Sequence, residues 1–206
     1  MKQSITYEPI KKEDYDALEN IIIQTWNYDK FGNKKTAKAL AKVFLASCLC
    51  NQSFTCVAYD QDTPIGIIMG KSEKKHRISF HHQCHQIIAI IKMICFKEGR
   101  KVLKMFSGFE NINKELYQQC HHHFGGEIAF FAVDPNYRGA GIGRVLFSKV
   151  QTYMKQEAID DYYLFTDSSC NYGFYEHLGL KRYQEKKLSL AAFKNKEMAF
   201  FLYGTH

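Results

Sequence analysis

Residues 132–147, AVDPNYRGAGIGRVLF, place three glycines at alternate positions between an apolar run and an amphipathic one. Glycine is unfavourable inside regular structure, so this cluster indicates a place where the backbone closely approaches another molecule. A glycine-rich turn between a strand and a helix presents free amide N–H groups, and the helix dipole adds partial positive charge there. Arg138 and Arg144 flank the turn and can donate charged hydrogen bonds. The segment therefore predicts a binding site for a phosphate or diphosphate group.

The spacing of the glycines shows which of three known phosphate-binding patterns the chain matches. The Walker A pattern, G-x-x-x-x-G-K-[ST], does not occur in the chain. The dinucleotide pattern, G-x-G-x-x-G, needs its third glycine one residue later than Gly143, although Asp160 and Asp161 lie about 20 residues on, where a ribose-binding acid belongs. Arg138, Gly141 and Gly143 fully match the third pattern, [QR]-x-x-G-x-[GA].

A second segment, CNYGFYEHLGLKR at residues 170–182, follows a predicted strand. Asn171 is a good helix N-cap, Gly179 predicts the end of the helix, and Asn171 and Tyr175, four residues apart, would share one helical face. The two segments together resemble the GNAT superfamily of acyl-CoA-dependent N-acetyltransferases. In that family the first motif holds the CoA pyrophosphate and a later N-x-x-x-Y-x-x-x-G-[FL] segment holds the pantetheine arm. The resemblance covers residues 127–182 and says nothing about the acceptor.

The resemblance implies that acetyl-CoA is the acetyl donor. The thioester would lie beside the strand GEIAFFAV, which diverges from the next strand, YYLFT, and leaves backbone groups free. Main-chain groups of Ala132 and Val133 would hold the pantetheine amides and polarise the thioester carbonyl, while the glycine turn would hold the pyrophosphate. The residues predicted to bind acetyl-CoA are Ala132, Val133, Arg138, Gly139, Ala140, Gly141, Ile142, Gly143, Arg144 and Asn171.

Acetyl transfer to an amine needs a neutral amine, a donor for the oxyanion and a proton for the departing thiolate. Tyr175 matches the family position whose hydroxyl protonates the CoA sulfur. A tyrosine pKa of about 10 lies slightly above a thiol pKa of about 8.5, so the hydroxyl keeps its proton at neutral pH. The alternative is a structural role, in which the ring packs on the sheet and the hydroxyl bonds to the backbone.

The resemblance also suggests a catalytic base. Glu127 begins the strand of the first motif, where several family members carry a carboxylate that accepts the amine proton through water. Strand alternation predicts that Glu127, Ala129, Phe131 and Val133 share one face. The alternatives are a solvent-facing Glu127 and a base supplied by Asp167 or by a histidine.

Two histidine-rich sequences, HHQCH at residues 81–85 and CHHHF at residues 120–124, contain residue types that can bind zinc. His81 and His85 would share one face of a helix. However, adjacent residues rarely bind the same ion, and the spacing fits no standard zinc finger. We therefore predict no metal site and place these histidines at the surface or in a substrate channel.

The elements that position these residues follow from hydrophobic periodicity and from glycine and proline. Strands are predicted at residues 4–9, 126–133, 162–166 and 197–204, and a β-hairpin is predicted within residues 54–70, with a polar turn that contains Asp60, Asp62 and Pro64. Helices are predicted at residues 11–27, 34–49, 84–120 (with a break near Gly99 or Gly108), 141–158 and 171–179. This pattern predicts a mixed sheet with helices packed on it. The resemblance implies the α/β (α+β) class and the GNAT fold, with a central mixed, mostly antiparallel twisted sheet and helices on both faces.

Residues 71–124 form a long helical insertion before the motif strand, where small family members have a short connection. Residues 71–123 carry ten Lys and Arg against four Glu, a net charge of +6. The interpretations are a solvated helical face, a cover over the acceptor side that attracts a carboxylated acceptor, and a dimer contact that buries Ile87, Ile91 and Ile94. The chain has no linker-like or repetitive segment, so we predict one domain over residues 1–206.

The cysteine pattern, hydrophobic runs and charge predict the cellular compartment of the protein and the kinds of partner it binds. The seven cysteines form no C-x-x-C pair, the first residues carry no apolar segment, and the longest apolar run has 10 residues including Lys92. These features predict a cytoplasmic protein with no membrane partner. No nucleic-acid-reading motif accompanies the basic charge, so nucleic acid is not a predicted partner.

The predicted function is an N-acetyltransferase that moves the acetyl group of acetyl-CoA directly to a small-molecule or peptide amine within a ternary complex. A catalytically silent acyl-CoA-binding regulatory module is the first alternative. A dinucleotide-binding oxidoreductase is the second, and the glycine spacing counts against it.

Overall fold

The computed structural model describes residues 5–190 and 196–205, which form seven β-strands and six α-helices. The strands are β1 (Ile5–Glu8), β2 (Phe54–Asp60), β3 (Thr63–Ser72), β4 (Gly126–Val133), β5 (Tyr162–Asp167), β6 (Lys181–Leu190) and β7 (Lys196–Gly204). The helices are α1 (Tyr15–Trp26), α2 (Lys34–Cys50), α3 (Phe80–Ile94), α4 (Lys97–Gln119), α5 (Ile142–Gln156) and α6 (Gly173–His177).

The strands form one sheet in the order β1-β2-β3-β4-β5-β7-β6. Every neighbouring pair is antiparallel except β4 and β5, which run parallel, and this confirms the predicted fold class. The sequence analysis missed β6. Its first residues, KRYQEKK, lack an apolar alternation because β6 lies at the edge of the sheet, and its pairing with β7 makes it a strand.

Helices pack on both faces of the sheet, as predicted. α1 and α2 cover one face, where they contact Phe130 and Ala132 of β4. α5 covers the other face, where it contacts Ile128 of β4 and Leu164 of β5. Helical periodicity predicts one apolar stripe along α2, formed by Ala37, Leu40, Ala41, Phe44, Leu45 and Cys48, and all of these except the half-buried Phe44 are buried.

Periodicity predicts that Val145, Leu146, Val150, Tyr153 and Met154 form the apolar face of α5, and the buried face differs from this prediction. Leu146, Val150 and Met154 are buried as expected, but Val145 is exposed and Phe147 is buried. At 100° per residue, positions 146, 147, 150 and 154 form one stripe, and position 145 projects away from it.

The insertion folds into α3 and α4, and their junction corrects the predicted boundaries. α3 begins at Phe80, earlier than expected, and the break between the helices lies at Cys95 and Phe96. Gly99, in the first turn of α4, allows this junction to be tight, because a Cβ atom there would lie only 2.1 Å from the carbonyl oxygen of Met93. Gly108 lies inside α4 and does not break it.

The two insertion helices have different surroundings. α3 packs on α2 and leaves Ile87, Ile88, Ile91 and Ile94 about half exposed. α4 packs across β6 and β7 and against α2. The predicted dimer contact through these isoleucines stays a prediction. Within residues 5–190 and 196–205, no helix is both long enough and apolar enough to cross a bilayer.

A β-bulge changes which residues of β4 share a face. Met69 pairs with Phe130 and Gly70 pairs with Ile128, so Ala129 is an extra residue in β4. Phe131 consequently packs in the α5 layer, whereas Glu127 bonds to Asn51 at the end of α2. The predicted shared face of Glu127, Ala129, Phe131 and Val133 is therefore wrong, because simple alternation ignores the bulge.

Candidate active site

The two parallel strands separate and open a cleft between them. Only two residue pairs join β4 and β5 in the described part of the chain, Gly126 with Tyr162 and Glu127 with Tyr163. Beyond them, the edge of β4 that runs through Ala132 and Val133 faces a cleft of about 840 Å³. The divergence that the sequence analysis expected from the family resemblance is thus present in the backbone.

The glycine turn lies at one end of this cleft. Gly139 and Gly141 have φ values of +84° and +80°, in the left-handed region where residues with a side chain are strained. A Cβ atom at either position would meet no atom within 4 Å and would point into open space. Both glycines are therefore required by backbone conformation, and the space beside them is free for a ligand.

The turn also presents unpaired amides. Gly141 is the N-cap of α5, and its carbonyl accepts bonds from the amides of Arg144 and Val145. The five amides of residues 139–143 donate to no other residue that the structure describes. The guanidinium groups of Arg138 and Arg144 are exposed and form no ion pair within the described residues. Free amides at a helix N-terminus flanked by two arginines form an anion-binding site.

The predicted cofactor residues meet at this cleft with one exception. Nine of the ten line it, and the exception is Ala140, whose exposed side chain lies outside it. Ile142 contributes through its backbone, since its side chain is buried in the α5 layer. Asn171 also lines the cleft, but its predicted N-cap role is wrong: α6 begins at Gly173, Tyr172 is the N-cap, and the Asn171 side chain forms no capping bond.

Tyr175 projects from α6 into the same cleft. Its ring packs among Phe131, Phe147 and Phe174, with centroid distances of 5.6–6.4 Å. The ring packing agrees with the structural alternative, but the hydroxyl has no hydrogen-bond partner among the residues that the structure describes, so the role of Tyr175 stays a prediction. Burial, with the nearby Cys170 and Asp167, raises the pKa of Tyr175 well above its ordinary value. The hydroxyl therefore keeps its proton at neutral pH.

Asp167 ends β5 on the other side of the opening. Its Oδ1 accepts hydrogen bonds from the amide and the hydroxyl of Ser169, at 2.7 and 2.5 Å. Burial raises the pKa of Asp167, and these bonds counteract the increase. The neighbouring thiol of Cys170 has a pKa raised to about 11 by burial and by Asp167, so it stays protonated.

Glu127 lies deeper, at the last paired position of β4 and β5. Its side chain is 13% exposed, and Oε2 accepts a hydrogen bond from Nδ2 of Asn51 at 3.1 Å and lies 3.9 Å from Nζ of Lys71. Burial raises the pKa of Glu127, while Asn51, Lys71 and Tyr163 partly offset the increase. A carboxyl group with a raised pKa is a better proton acceptor than an exposed glutamate.

The far end of the cleft is built from residues that the sequence analysis did not single out. They come from α1, the turn after it, α4 and β7: Trp26, Tyr28, Lys30, Phe31, Phe106, Phe109, Asn113, Met198 and Phe200. The aromatic content of WNYDKF at residues 26–31 was the available signal, but the contributions of α4 and β7 depend on tertiary packing.

The basic charge of the insertion does not reach the cleft. Phe106, Phe109 and Asn113 are the residues that the insertion contributes to its lining, and none of them is charged. α4 lines this end of the cleft, and the expected cover over the acceptor side stays a prediction. The suggested attraction of a carboxylated acceptor by the basic residues of the insertion finds no support in the lining.

The histidine clusters lie elsewhere. His81 and His85 share a face of α3, with rings 4.6 Å apart, and both are exposed. His122 pairs with Asp161 at 3.2 Å, away from the cleft lining. Within the described ranges, no group of three or more His, Cys, Asp or Glu side chains is arranged to hold a metal ion.

Fold and site together define an acyltransferase, and comparison with known families identifies the class. The model of the acetyltransferase (GNAT) family matches residues 20–180, most of the chain. The chain belongs to this family and is an acetyl-transferring enzyme, as the glycine turn and the Tyr175 segment indicated. A search of curated protein sequences finds no significant match.

Solved structures confirm the fold. PH1933 from Pyrococcus horikoshii OT3 is 17% identical, with a TM-score of 0.60 and 98% of both chains covered. An N-acetyltransferase from Staphylococcus aureus Mu50 is 13% identical, with a TM-score of 0.55, and covers 98% of this chain and 97% of its own. The ribosomal-protein-S18-alanine N-acetyltransferase from Escherichia coli is 10% identical, with a TM-score of 0.52, and covers 98% and 93%. At these identities the likeness concerns the fold alone.

Proposed function

We propose that this protein is an N-acetyltransferase that transfers the acetyl group of acetyl-CoA directly to a primary amine within a ternary complex. The observation that carries the proposal is the row of free amides at residues 139–143, which opens onto the same cleft as the unpartnered hydroxyl of Tyr175. A pyrophosphate site and a proton donor in one cleft are the two features that a CoA thioester requires.

The residues of the glycine turn would hold the pyrophosphate, and the free edge of β4 at Ala132 and Val133 would bind the pantetheine amides. When bound, acetyl-CoA supplies the acetyl group as a thioester, whose C–S bond breaks as the acceptor nitrogen forms a C–N bond. Tyr175 would donate its hydroxyl proton to the departing sulfur. The proton lost by the amine would pass to a carboxylate, for which we propose Glu127, directly or through water.

Asp167 is the second carboxylate of the cleft. Its charge contributes to the raised pKa of Tyr175, which indicates that Asp167 lies within electrostatic reach of the proposed acid. Glu127 makes no such contribution among the causes of that shift. Asp167 is therefore the alternative base, and separate substitution of the two carboxylates distinguishes them.

The proposal extends to the whole molecule. We treat residues 1–206 as one acetyltransferase domain with residues 71–124 as its insertion. All seven cysteines are free, which is consistent with a reducing, cytoplasmic compartment.

Calorimetric titration tests the cofactor. The purified chain is titrated with acetyl-CoA, with desulfo-CoA, and with NAD as the dinucleotide comparator. We expect micromolar binding of the first two and no binding of NAD. Binding of NAD alone would contradict the proposal and favour the oxidoreductase alternative. Tight acetyl-CoA binding without acetylation of any amine in a broad screen would favour the regulatory module.

A further inference from the structure

The acceptor end of the cleft is lined by a continuous row of aromatic rings. Tyr28 lies 5.4 Å from Phe106, Phe106 lies 5.3 Å from Phe109, and Phe109 lies 5.3 Å from Phe200, measured between ring centroids. Phe31 joins the row at 5.7 Å from Phe106. We call Tyr28, Phe31, Phe106, Phe109 and Phe200 the aromatic wall.

The wall is held by elements that are distant in sequence. The turn that carries Tyr28 and Phe31 follows Asn27, whose left-handed conformation (φ +50°) ends α1, and both rings contact Phe106 of α4. Phe31, Phe106 and Phe109 are half-buried and keep part of their ring surface open to the cleft, whereas Tyr28 and Phe200 are buried and pack against Phe106 and Phe109. Flat apolar surface of this kind binds the faces and edges of another ring, because offset and edge-to-face ring pairs are favourable.

A carboxylate lies at the inner end of the wall. Asp167 is paired across the sheet with Phe200 of the wall. It shares the strand face of Tyr163 and Phe165, which pack in the α4 layer, whereas Leu164 faces α5. Ser169 holds the carboxylate through two hydrogen bonds to Oδ1. A cationic group bound at Asp167 would therefore have the aromatic wall beside it.

The remaining charges of the cleft argue against other acceptors. Its lining contains five charged residues: Lys30, Glu127, Arg138, Arg144 and Asp167. The two arginines flank the glycine turn, and Lys30 is exposed to solvent. The charged residues that remain for an acceptor are Glu127 and Asp167, which lie beside the uncharged aromatic wall. A polyamine would leave its additional ammonium groups on apolar surface, and an amino acid would place its carboxylate near the two acids.

We propose that the acceptor is a primary amine carried on a flat aromatic body without a carboxylate, with its ring against the aromatic wall and its amino group at Asp167. This inference rests on the proposed function, since it names the acceptor class of the same site. It assigns Asp167 as a substrate-binding residue and the wall residues as determinants of specificity.

Product formation with a matched set of amines tests the acceptor class. N-acetylated product is quantified by mass spectrometry at saturating acetyl-CoA with 2-phenylethylamine, butylamine, phenylalanine and spermidine. Compared with 2-phenylethylamine, butylamine lacks the ring, phenylalanine carries an additional carboxylate, and spermidine lacks the ring and carries additional ammonium groups. We expect kcat/KM for 2-phenylethylamine to exceed each of the others by at least about tenfold. A preference for spermidine or phenylalanine, or equal rates with butylamine, would overturn the inference and leave the proposed function intact.

Binding without turnover separates the two proposals. The protein saturated with desulfo-CoA is titrated with 2-phenylethylamine and with butylamine. Binding of the aromatic amine alone, with no acetylated product from any amine, would support the wall as a binding site and contradict the proposed transferase function. Absence of 2-phenylethylamine binding would overturn the inference.

Variants of the wall and of the carboxylate should have different signatures. Phe109→Ala should raise the KM for 2-phenylethylamine by about tenfold and leave that for butylamine unchanged, because the ring contact alone is lost. Asp167→Asn should weaken binding of both amines, because it removes the charge that both share. Phe54→Leu is the matched control, since Phe54 stacks on Tyr153 outside the cleft lining. An unchanged acetyl-CoA affinity shows that each variant is folded, and equal losses for both amines in Phe109→Ala would contradict the wall assignment.

Discussion

The hydroxyl of Tyr175 belongs to a side chain that lines the cleft, whose ring packs near Phe131 and Phe147 and whose pKa is raised by burial and by the nearby Cys170 and Asp167. Burial and the neighbouring negative charge favour its protonated form. The same surroundings increase the need for a proton on a departing thiolate, because an anion in this site would be poorly solvated. At the residue scale, the proposed chemistry thus depends on the proton that the Tyr175 hydroxyl holds and can donate to the departing thiolate.

Replacement of Tyr175 by phenylalanine removes that proton while keeping the ring. We expect kcat to fall by about 10²–10⁴, because general acid catalysis contributes on this order. The Kd for acetyl-CoA should change little, since the hydroxyl meets the sulfur only during transfer. Steady-state kinetics and calorimetry measure the two quantities. Tyr172→Phe is the matched control, and an unchanged rate in Tyr175→Phe would remove Tyr175 from the acid role.

The raised pKa of Glu127 predicts the acid limb of the pH profile. A base acts in its ionised form, so kcat/KM should fall as the pH drops through a pKa above the ordinary value of Glu. Glu127→Gln should lower kcat/KM and abolish this limb. If the limb persists in Glu127→Gln and disappears in Asp167→Asn, Asp167 is the base instead.

The same shift has a consequence for stability. A carboxyl group whose pKa is raised on folding binds its proton more tightly in the folded state than in the unfolded state. Its contribution to stability is therefore present at low pH and is lost as the pH rises from the unfolded pKa through the raised folded pKa. Thermal unfolding of wild type and Glu127→Gln across this range should show wild type losing stability relative to the variant as the pH increases.

At the scale of elements, the glycine turn and the end of α6 each contain a glycine in the left-handed conformation. Gly141 begins α5 at φ +80°, and Gly179 follows α6 at φ +83°. At both positions a Cβ atom would meet no atom within 4 Å. Gly141 borders the cleft, whereas Gly179 does not line it, so the two positions share their strain and differ in their access to a ligand.

This pair allows a matched experiment. Gly141→Ala and Gly179→Ala should each lower the free energy of unfolding by about 1–2 kcal/mol, the cost of the left-handed conformation for a residue with a Cβ atom. Only Gly141→Ala should also weaken acetyl-CoA binding, because its methyl group would occupy the space beside the free amides. Denaturant unfolding and calorimetry measure the two effects. Equal acetyl-CoA affinities in the two variants would contradict the pyrophosphate site.

At the scale of the whole molecule, the cleft joins the two sides of the sheet. The glycine turn and Tyr175 belong to the α5 and α6 side, while the aromatic wall belongs to the α1 and α4 side. A ligand that fills this cleft contacts elements from most of the chain. Binding should consequently stabilise the fold as a unit.

Acetyl-CoA at about 100 times its Kd should add about 2.7 kcal/mol to the free energy of unfolding. For a chain of this length, this corresponds to an increase in Tm of about 5–10 °C. Differential scanning calorimetry with acetyl-CoA and with NAD at the same concentration measures the shift. A similar shift with NAD would argue against a CoA-specific site, and Gly141→Ala should shift less than Gly179→Ala.

The amino-acid sequence alone determined the features that depend on short stretches of chain. Gly139 and Gly141 are readable because only glycine adopts their conformation without strain, and the stripe of α2 is readable because helical periodicity is local. The family assignment follows from these stretches, and so do most of the residues that we propose to bind acetyl-CoA.

Tertiary structure decided the rest. The bulge at Ala129 places Glu127 and Phe131 on opposite faces of the sheet. The charged sequence of β6 forms a strand because it pairs with β7 at the edge of the sheet. The aromatic wall joins α4 with the turn after α1 and with β7, segments about 80–170 residues apart in the chain, as the sheet order dictates. Such contacts depend on long-range packing that no local pattern encodes. The proposed cofactor end of the cleft is therefore readable from the sequence, whereas the proposed acceptor end is defined only by the fold.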